Sequence, residues 1–98
     1  MTRKKIFASA NRDENESKIT TLLIHLQIPY CLMPATAGFD ILVMTAPMEA
    51  WEVKNSSYKW TLTKAEQERK EYCKRHGIPY RIIETVEQAV DALNERKG

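Results

Sequence analysis

Gly38-Phe39-Asp40-Ile41-Leu42-Val43-Met44-Thr45, a turn at Ala46-Pro47-Met48, then Glu49-Ala50-Trp51-Glu52-Val53-Lys54: the reading of this stretch decides the rest of the chain. It predicts two neighbouring strands, residues 39–45 and 49–54. Side chains alternate between faces along a strand, so Ala50, Glu52 and Lys54 share one face while Glu49, Trp51 and Val53 share the other. Asp40 opens the first strand on the face of Leu42 and Met44. If the strands pair with those faces aligned, the carboxylates of Asp40 and Glu52 and the ammonium of Lys54 converge on one spot. Clustered carboxylate oxygens are the donors that hard divalent cations bind.

On the N-terminal side, residues 1–12 show no hydrophobic periodicity and read as a basic arm or an edge segment. A helix is expected from Asp13–Asn15 to about Gln27, with Ile19, Leu22, Leu23 and Leu26 forming one apolar stripe. Glu16 extends that stripe toward the carboxylate spot, and Asp13-x-x-Glu16 also has the spacing of a capping box. Ile28-Pro29-Tyr30 ends the helix, a short strand follows over 30–33, and Pro34 to Gly38 makes a turn.

On the C-terminal side, Asn55 to Trp60 is a loop carrying Tyr58, Lys59 and Trp60. Aromatics interleaved with a lysine either stack on bases or rim the core. The spacing favours the rim for Trp60, and solvent or a ligand for Tyr58. Thr63-Lys64-Ala65-Glu66 is a capping box that starts a helix ending near His76, with Gly77 just beyond. His76 reads as a packed or capping residue of that helix. Ile78-Pro79-Tyr80 leads into a strand reaching Ile83, and a last helix buries Val86, Ala89, Val90 and Leu93. The order is α-β-β-β-α-β-α, an α/β chain with a small mixed central sheet flanked by helices. Residues 13–98 form its single domain.

Composition narrows the classes further. Ninety-eight residues bury roughly two-thirds of their unfolded surface, enough for a core without staples. Cys31 and Cys73 have no metal-ligand spacing and read as buried free thiols of a reducing compartment. No apolar run approaches the roughly 18 residues of a membrane span. Arg3-Lys4-Lys5 is followed by only two apolar residues, unlike a signal peptide, so the cytoplasm is expected. Net charge is only +2, but its distribution is uneven. Between Lys54 and Arg81 stand eight positive residues against three glutamates, and Arg3, Lys4, Lys5 and Arg12 make a second basic group. Basic clusters beside an acidic spot suit a polyanion gripped by its backbone. The alternative is a solvated helix face of mixed charge.

Asp40 and Glu52 are candidate ligands for Mg²⁺ or Mn²⁺, with the backbone carbonyl of Val53 as a further oxygen. Such an ion lowers the pKa of a bound water and neutralises phosphate charge, which is what phosphodiester hydrolysis requires. Lys54 would add a positive charge beside the reacting phosphate. Gly38-Phe39-Asp40-Ile41-Leu42-Val43, Trp51-Glu52-Val53-Lys54, Leu62-Thr63 and Gly77-Ile78-Pro79 together resemble the PD-(D/E)XK nuclease superfamily. Within it they are most similar to the small VRR-NUC and junction-resolvase type, with a restriction-endonuclease-like core. The resemblance implies Asp40 and Glu52 as metal ligands, Lys54 as the catalytic lysine, and Glu16 as the helix-one glutamate. It also implies a DNA endonuclease selective for branched DNA, working as a homodimer. Apolar residues outside the core stripes (Ile24, Met44, Met48, Trp51) are the candidate dimer surface. The proline that often precedes the first aspartate is Phe39 here. The family's glutamine near the start of the following helix has two competitors, Glu66 and Gln67, of which helical phase turns Glu66 inward. Tyr58, Lys59 and Lys64 are candidate nucleic-acid contacts. The rival expectation is a catalytically silent module of the same shape that binds nucleic acid or a protein.

Overall fold

Strand-forming residues bounded by turns make four short strands: β1 (Tyr30–Leu32), β2 (Ile41–Val43), β3 (Glu49–Val53) and β4 (Tyr80–Ile83). Three helices accompany them: α1 (Arg3–His25), α2 (Lys64–Arg75) and α3 (Val86–Glu95). This is a computed structural model, describing the backbone of residues 3–95 and the side chains of 14–95. The sheet order is β1-β2-β3-β4, with the first three strands antiparallel and β4 parallel to β3. Mixed α/β architecture and element order agree with the expectation from sequence.

The two faces of the sheet are covered differently. Ile41, Val43, Trp51 and Ile83 point to one face, where they form a single core with Ile19 and Leu23 of α1 and Ala89, Ala92 and Leu93 of α3. Leu42 and Ala50 point to the other, toward Arg69, Tyr72 and Cys73 of α2. The β3 strand is buried along its first four residues. A strand covered on both sides shows just such a near-continuous buried run.

Several expectations need correction. Helix α1 starts at Arg3, not near Asp13, so residues 3–12 are neither an arm nor an edge strand; Met1 and Thr2 lie outside the described residues. Arg, Lys and Ala are good helix formers, and the stretch holds no glycine or proline, so intrinsic propensity carries the helix where hydrophobic periodicity is silent. Asp13 consequently lies inside the helix, ten residues past its start, and not at an N-cap position. Strand β2 is shorter than 39–45, although its pairing continues past each end: the Asp40 N–H donates to Trp51 O and the Met44 N–H to Pro29 O. Trp51 is not available to a partner surface, because it is fully buried and its indole N–H donates to Glu49. Leu26 lies beyond the helix end and is exposed. Both cysteines are free, but only Cys73 is buried; Cys31 is exposed on β1. His76 caps α2 at the surface, its ring 4.2 Å from that of Tyr72.

One turn positions the strand mouth. Gly38 adopts φ 83°, and a Cβ there would come within 2.6 Å of the Arg69 Cβ and 2.9 Å of the Ala65 carbonyl oxygen. Only glycine accepts both the left-handed backbone and that approach. The Arg69 Nε donates to Ala37 O, and the Tyr80 hydroxyl donates to Gly38 O. The turn that delivers Asp40 is therefore tied to both α2 and β4.

Candidate active site

Ile41 pairs with Trp51 across β2 and β3, so one further step along the strands sets Asp40 opposite Glu52. The Asp40 Oδ2 accepts the Val53 N–H at 2.8 Å, which ties that carboxylate to the backbone of β3. Glu52 is buried, and the Lys54 Nζ lies 3.3 Å from its Oε2. The strand end itself is pinned from two sides. The Lys54 N–H donates to Ile83 O of β4, while the Asn15 side chain of α1 donates to Lys54 O at 2.7 Å and to Glu84 O at 3.1 Å. The sequence-predicted trio of Asp40, Glu52 and Lys54 is thus brought together.

A fourth member comes from α2. Thr63 caps that helix, its hydroxyl accepting the Glu66 N–H while Glu66 Oε1 accepts the Thr63 N–H. The same Oε1 accepts from the Lys54 Nζ at 3.0 Å. Glu66, not Gln67, therefore reaches the site; the Gln67 amide is exposed and donates to Leu62 O. The capping box was the signal that fixes Glu66 on this side, since it aims the third helical residue back at the helix start.

Charge is unevenly balanced here. Burial, then the neighbouring charges of Asp40 and Glu66, push the Glu52 carboxyl up to about 8 against the opposing pull of Lys54. Burial also works against the charged forms of Lys54 and Glu66, but it is outweighed in both. Lys54 is raised by its hydrogen bond to Glu66 and the charge of Glu52, and Glu66 is lowered by the Thr63 N–H and by Lys54. Of these groups Glu52 is the carboxyl that holds its proton most strongly, while Glu66 and Lys54 each favour the charged form. Tyr80, on the same face, is raised by burial and by the same carboxylates. One ammonium faces Asp40, Glu52 and Glu66, so the pocket is short of positive charge.

That shortage bears on a metal. Asp40 and Glu52 supply only oxygen donors, the chemistry that suits Mg²⁺ or Mn²⁺, and an added cation would relieve the pressure on Glu52. Among the described residues, no group of three or more His, Cys, Asp or Glu is set as a metal cage. Asp40 and Glu52 alone would make an open site with few protein ligands, which is how Mg²⁺ is often held. Glu16 is buried on α1, next to the Asn15 that bonds Lys54.

The remaining predicted contacts lie at the surface. Tyr58, Lys59 and Lys64 are exposed. Trp60, which periodicity left as a rim residue, has its ring centroid 5.8 Å from the Lys54 Nζ and donates its indole N–H to Glu84 at 2.7 Å. No family model, curated protein or solved structure matches the chain.

Proposed function

We propose that this chain is a Mg²⁺-dependent endonuclease of PD-(D/E)XK type that hydrolyses phosphodiester bonds in DNA. The observation that carries the reading is the surplus of carboxylate around Lys54, with Glu52 pushed up to about 8 by burial and by Asp40. A buried carboxyl so destabilised as an anion gains most from a bound divalent cation. Asp40 and Glu52 would hold the ion, with the Val53 carbonyl as a further oxygen. Bound Mg²⁺ supplies charge neutralisation at the phosphate and a water of lowered pKa. Lys54 keeps a fixed positive charge at the strand end, where negative charge grows on the scissile phosphate. Glu66 holds that ammonium in place through a 3.0 Å contact.

The protein is expected to work in the cytoplasm as a homodimer that prefers branched DNA, since one small domain offers one such site. Ile24, Met44 and Met48 are exposed apolar residues on which a second copy would dock. No helix among the described residues is long and apolar enough to cross a membrane.

The test pairs cleavage with metal uptake. Purified protein, with Mg²⁺ or Mn²⁺, is offered linear duplex, single-stranded, flap and four-way DNA, beside Asp40→Ala and Glu52→Ala. Metal-dependent cleavage lost in both variants supports the reading. Calorimetry in buffers of different ionisation enthalpy should also show proton release on Mg²⁺ binding at pH 7, and none in Glu52→Gln. Cleavage of no substrate, with no metal uptake by a folded protein, overturns it. One observation favours the second reading, a silent nucleic-acid-binding module: Lys54 already closes on both Glu52 and Glu66, so the pocket partly neutralises itself.

A further inference from the structure

The loop after β3 presents aromatic surface beside the carboxylate pocket. Trp51 and Trp60 are the two tryptophans of the chain, and they differ sharply: Trp51 is 0% exposed and Trp60 36%. The indole N–H of Trp60 is satisfied by Glu84, and the Lys54 ammonium lies over its ring. What remains outside is π surface, held at a fixed angle. Tyr58 is 71% exposed, yet its backbone is fixed. Its N–H donates to Asn55 O at 3.1 Å, and the Ser57 N–H donates to the Asn55 side chain at 2.8 Å. Tyr58, Lys59, Trp60 and Thr61 line one shallow depression. Two aromatic rings on an anchored loop, with a lysine between them, form a stacking surface that packing within the chain does not use up.

We propose that Tyr58 and Trp60 stack unpaired nucleobases, so that the site takes single-stranded or locally unpaired nucleic acid in preference to continuous duplex. The proposal rests on the phosphodiester reading above for the class of ligand. Base faces inside a duplex are already stacked on one another and offer nothing to an aromatic side chain, whereas an unpaired base offers a whole face. Lys54 lies over the indole, and the 36% of Trp60 that stays exposed is the surface a base would use. Lys54 links the two features: its Nζ lies 5.8 Å from the Trp60 ring centroid and 3.3 Å from Glu52, so a nucleotide at Trp60 would lie beside the carboxylate pocket. Charge orients the strand. The neighbouring cleft of about 480 Å³, which Tyr58 also lines, carries Glu14, Glu84 and Glu87 against the single Lys18, so a polyanion is drawn instead toward Lys59 and Lys64, which are exposed.

The buried Trp51 makes fluorescence a direct probe, because quenching by a stacked base reaches Trp60 alone. Metal-free protein is titrated with a twelve-nucleotide oligo(dT) and with a blunt duplex of the same length. Oligo(dT) should quench the emission and bind at least tenfold more tightly than the duplex. Tyr58→Ala and Trp60→Ala, followed by anisotropy of a labelled oligo(dT), should each weaken binding about tenfold or more, with Trp60→Phe recovering part of it. Circular dichroism checks that each variant is folded, and the exposed Tyr58 supplies the variant least able to disturb the fold. Equal binding of oligo(dT) and duplex, or unchanged affinity in folded Tyr58→Ala and Trp60→Ala, overturns the proposal. Failure of the hydrolytic reading looks different: oligo(dT) still quenches Trp60, but no added metal produces cleavage. Metal-dependent duplex cleavage without quenching sinks the stacking surface and leaves the hydrolytic site standing.

Discussion

Glu49 and Glu52 belong to the same five-residue strand, and both are buried, at 1% and 4% exposure, yet the fold treats them as different chemical objects. Glu49 lies on the Trp51 face. Its Oε1 accepts the Trp51 indole N–H at 2.8 Å and the Arg81 Nε–H at 2.9 Å, and Arg81 is held in turn by Glu95. That carboxylate has its positive partner supplied from the adjacent parallel strand. Glu52, on the opposite face, shares one ammonium with Glu66 and also faces Asp40. A buried charge with matched partners is part of the architecture. One left short of positive charge is what an open catalytic or ligand site looks like. On the proposed reading the pair separates holding the fold from serving a site, on a strand where sequence shows the same residue twice.

The sharpest way to break this contrast is to neutralise each glutamate. Glu52→Gln should lower metal-dependent cleavage by roughly 10³-fold, of the order seen when one charge-stabilising group is removed from an active site, while circular dichroism and the urea midpoint hold or improve. Glu49→Ala should do the reverse. It strips the Trp51 N–H and Arg81 of their shared acceptor and should cost about 3 kcal/mol in urea unfolding; the half-exposed position of Arg81 and its second partner Glu95 keep the loss from being larger. If Glu49→Ala abolished cleavage in a protein of unchanged stability, the assignment of roles would be inverted.

pH sharpens the comparison next. In the fold the Glu52 carboxyl is pushed up to about 8, from 4.5 for a free glutamate. The folded state thus holds more protons across that window. Its contribution to stability is complete below 4.5 and is lost as pH rises through about 8. Urea midpoints of the metal-free protein should fall toward the alkaline side of that window, and Glu52→Gln should flatten the fall. Saturating Mg²⁺ should flatten it as well, by favouring the carboxylate. The smallest expected effect is at the helix cap. Thr63→Ala should cost about 1 kcal/mol and loosen Glu66 from Lys54, with only a modest drop in cleavage rate.

Local rules reached a long way into this chain. Period-two alternation placed Asp40, Glu52 and Lys54 together, because strand faces are set by backbone geometry alone. The Thr63–Glu66 box located α2 for the same reason. Where partners distant in sequence decide the outcome, those rules had nothing to work on. The role of Glu49 depends on Arg81, 32 residues away and brought in by the parallel pairing of β4. The burial of Trp51 depends on two helices converging on one face. Helix α1 began ten residues early because its first half has helical propensity without an apolar stripe, and periodicity detects only the stripe.

One atom described above belongs to two structures at once. The Glu66 Oε1 closes the first turn of α2 and also receives the Lys54 ammonium. Whatever draws Lys54 toward a ligand must change the electron density that this oxygen offers the Thr63 amide. The start of α2 is thereby a built-in gauge of occupancy. The Thr63 amide resonance and its hydrogen-exchange rate should shift when the pocket fills, even though no ligand touches Thr63, and the response should vanish in Glu66→Ala.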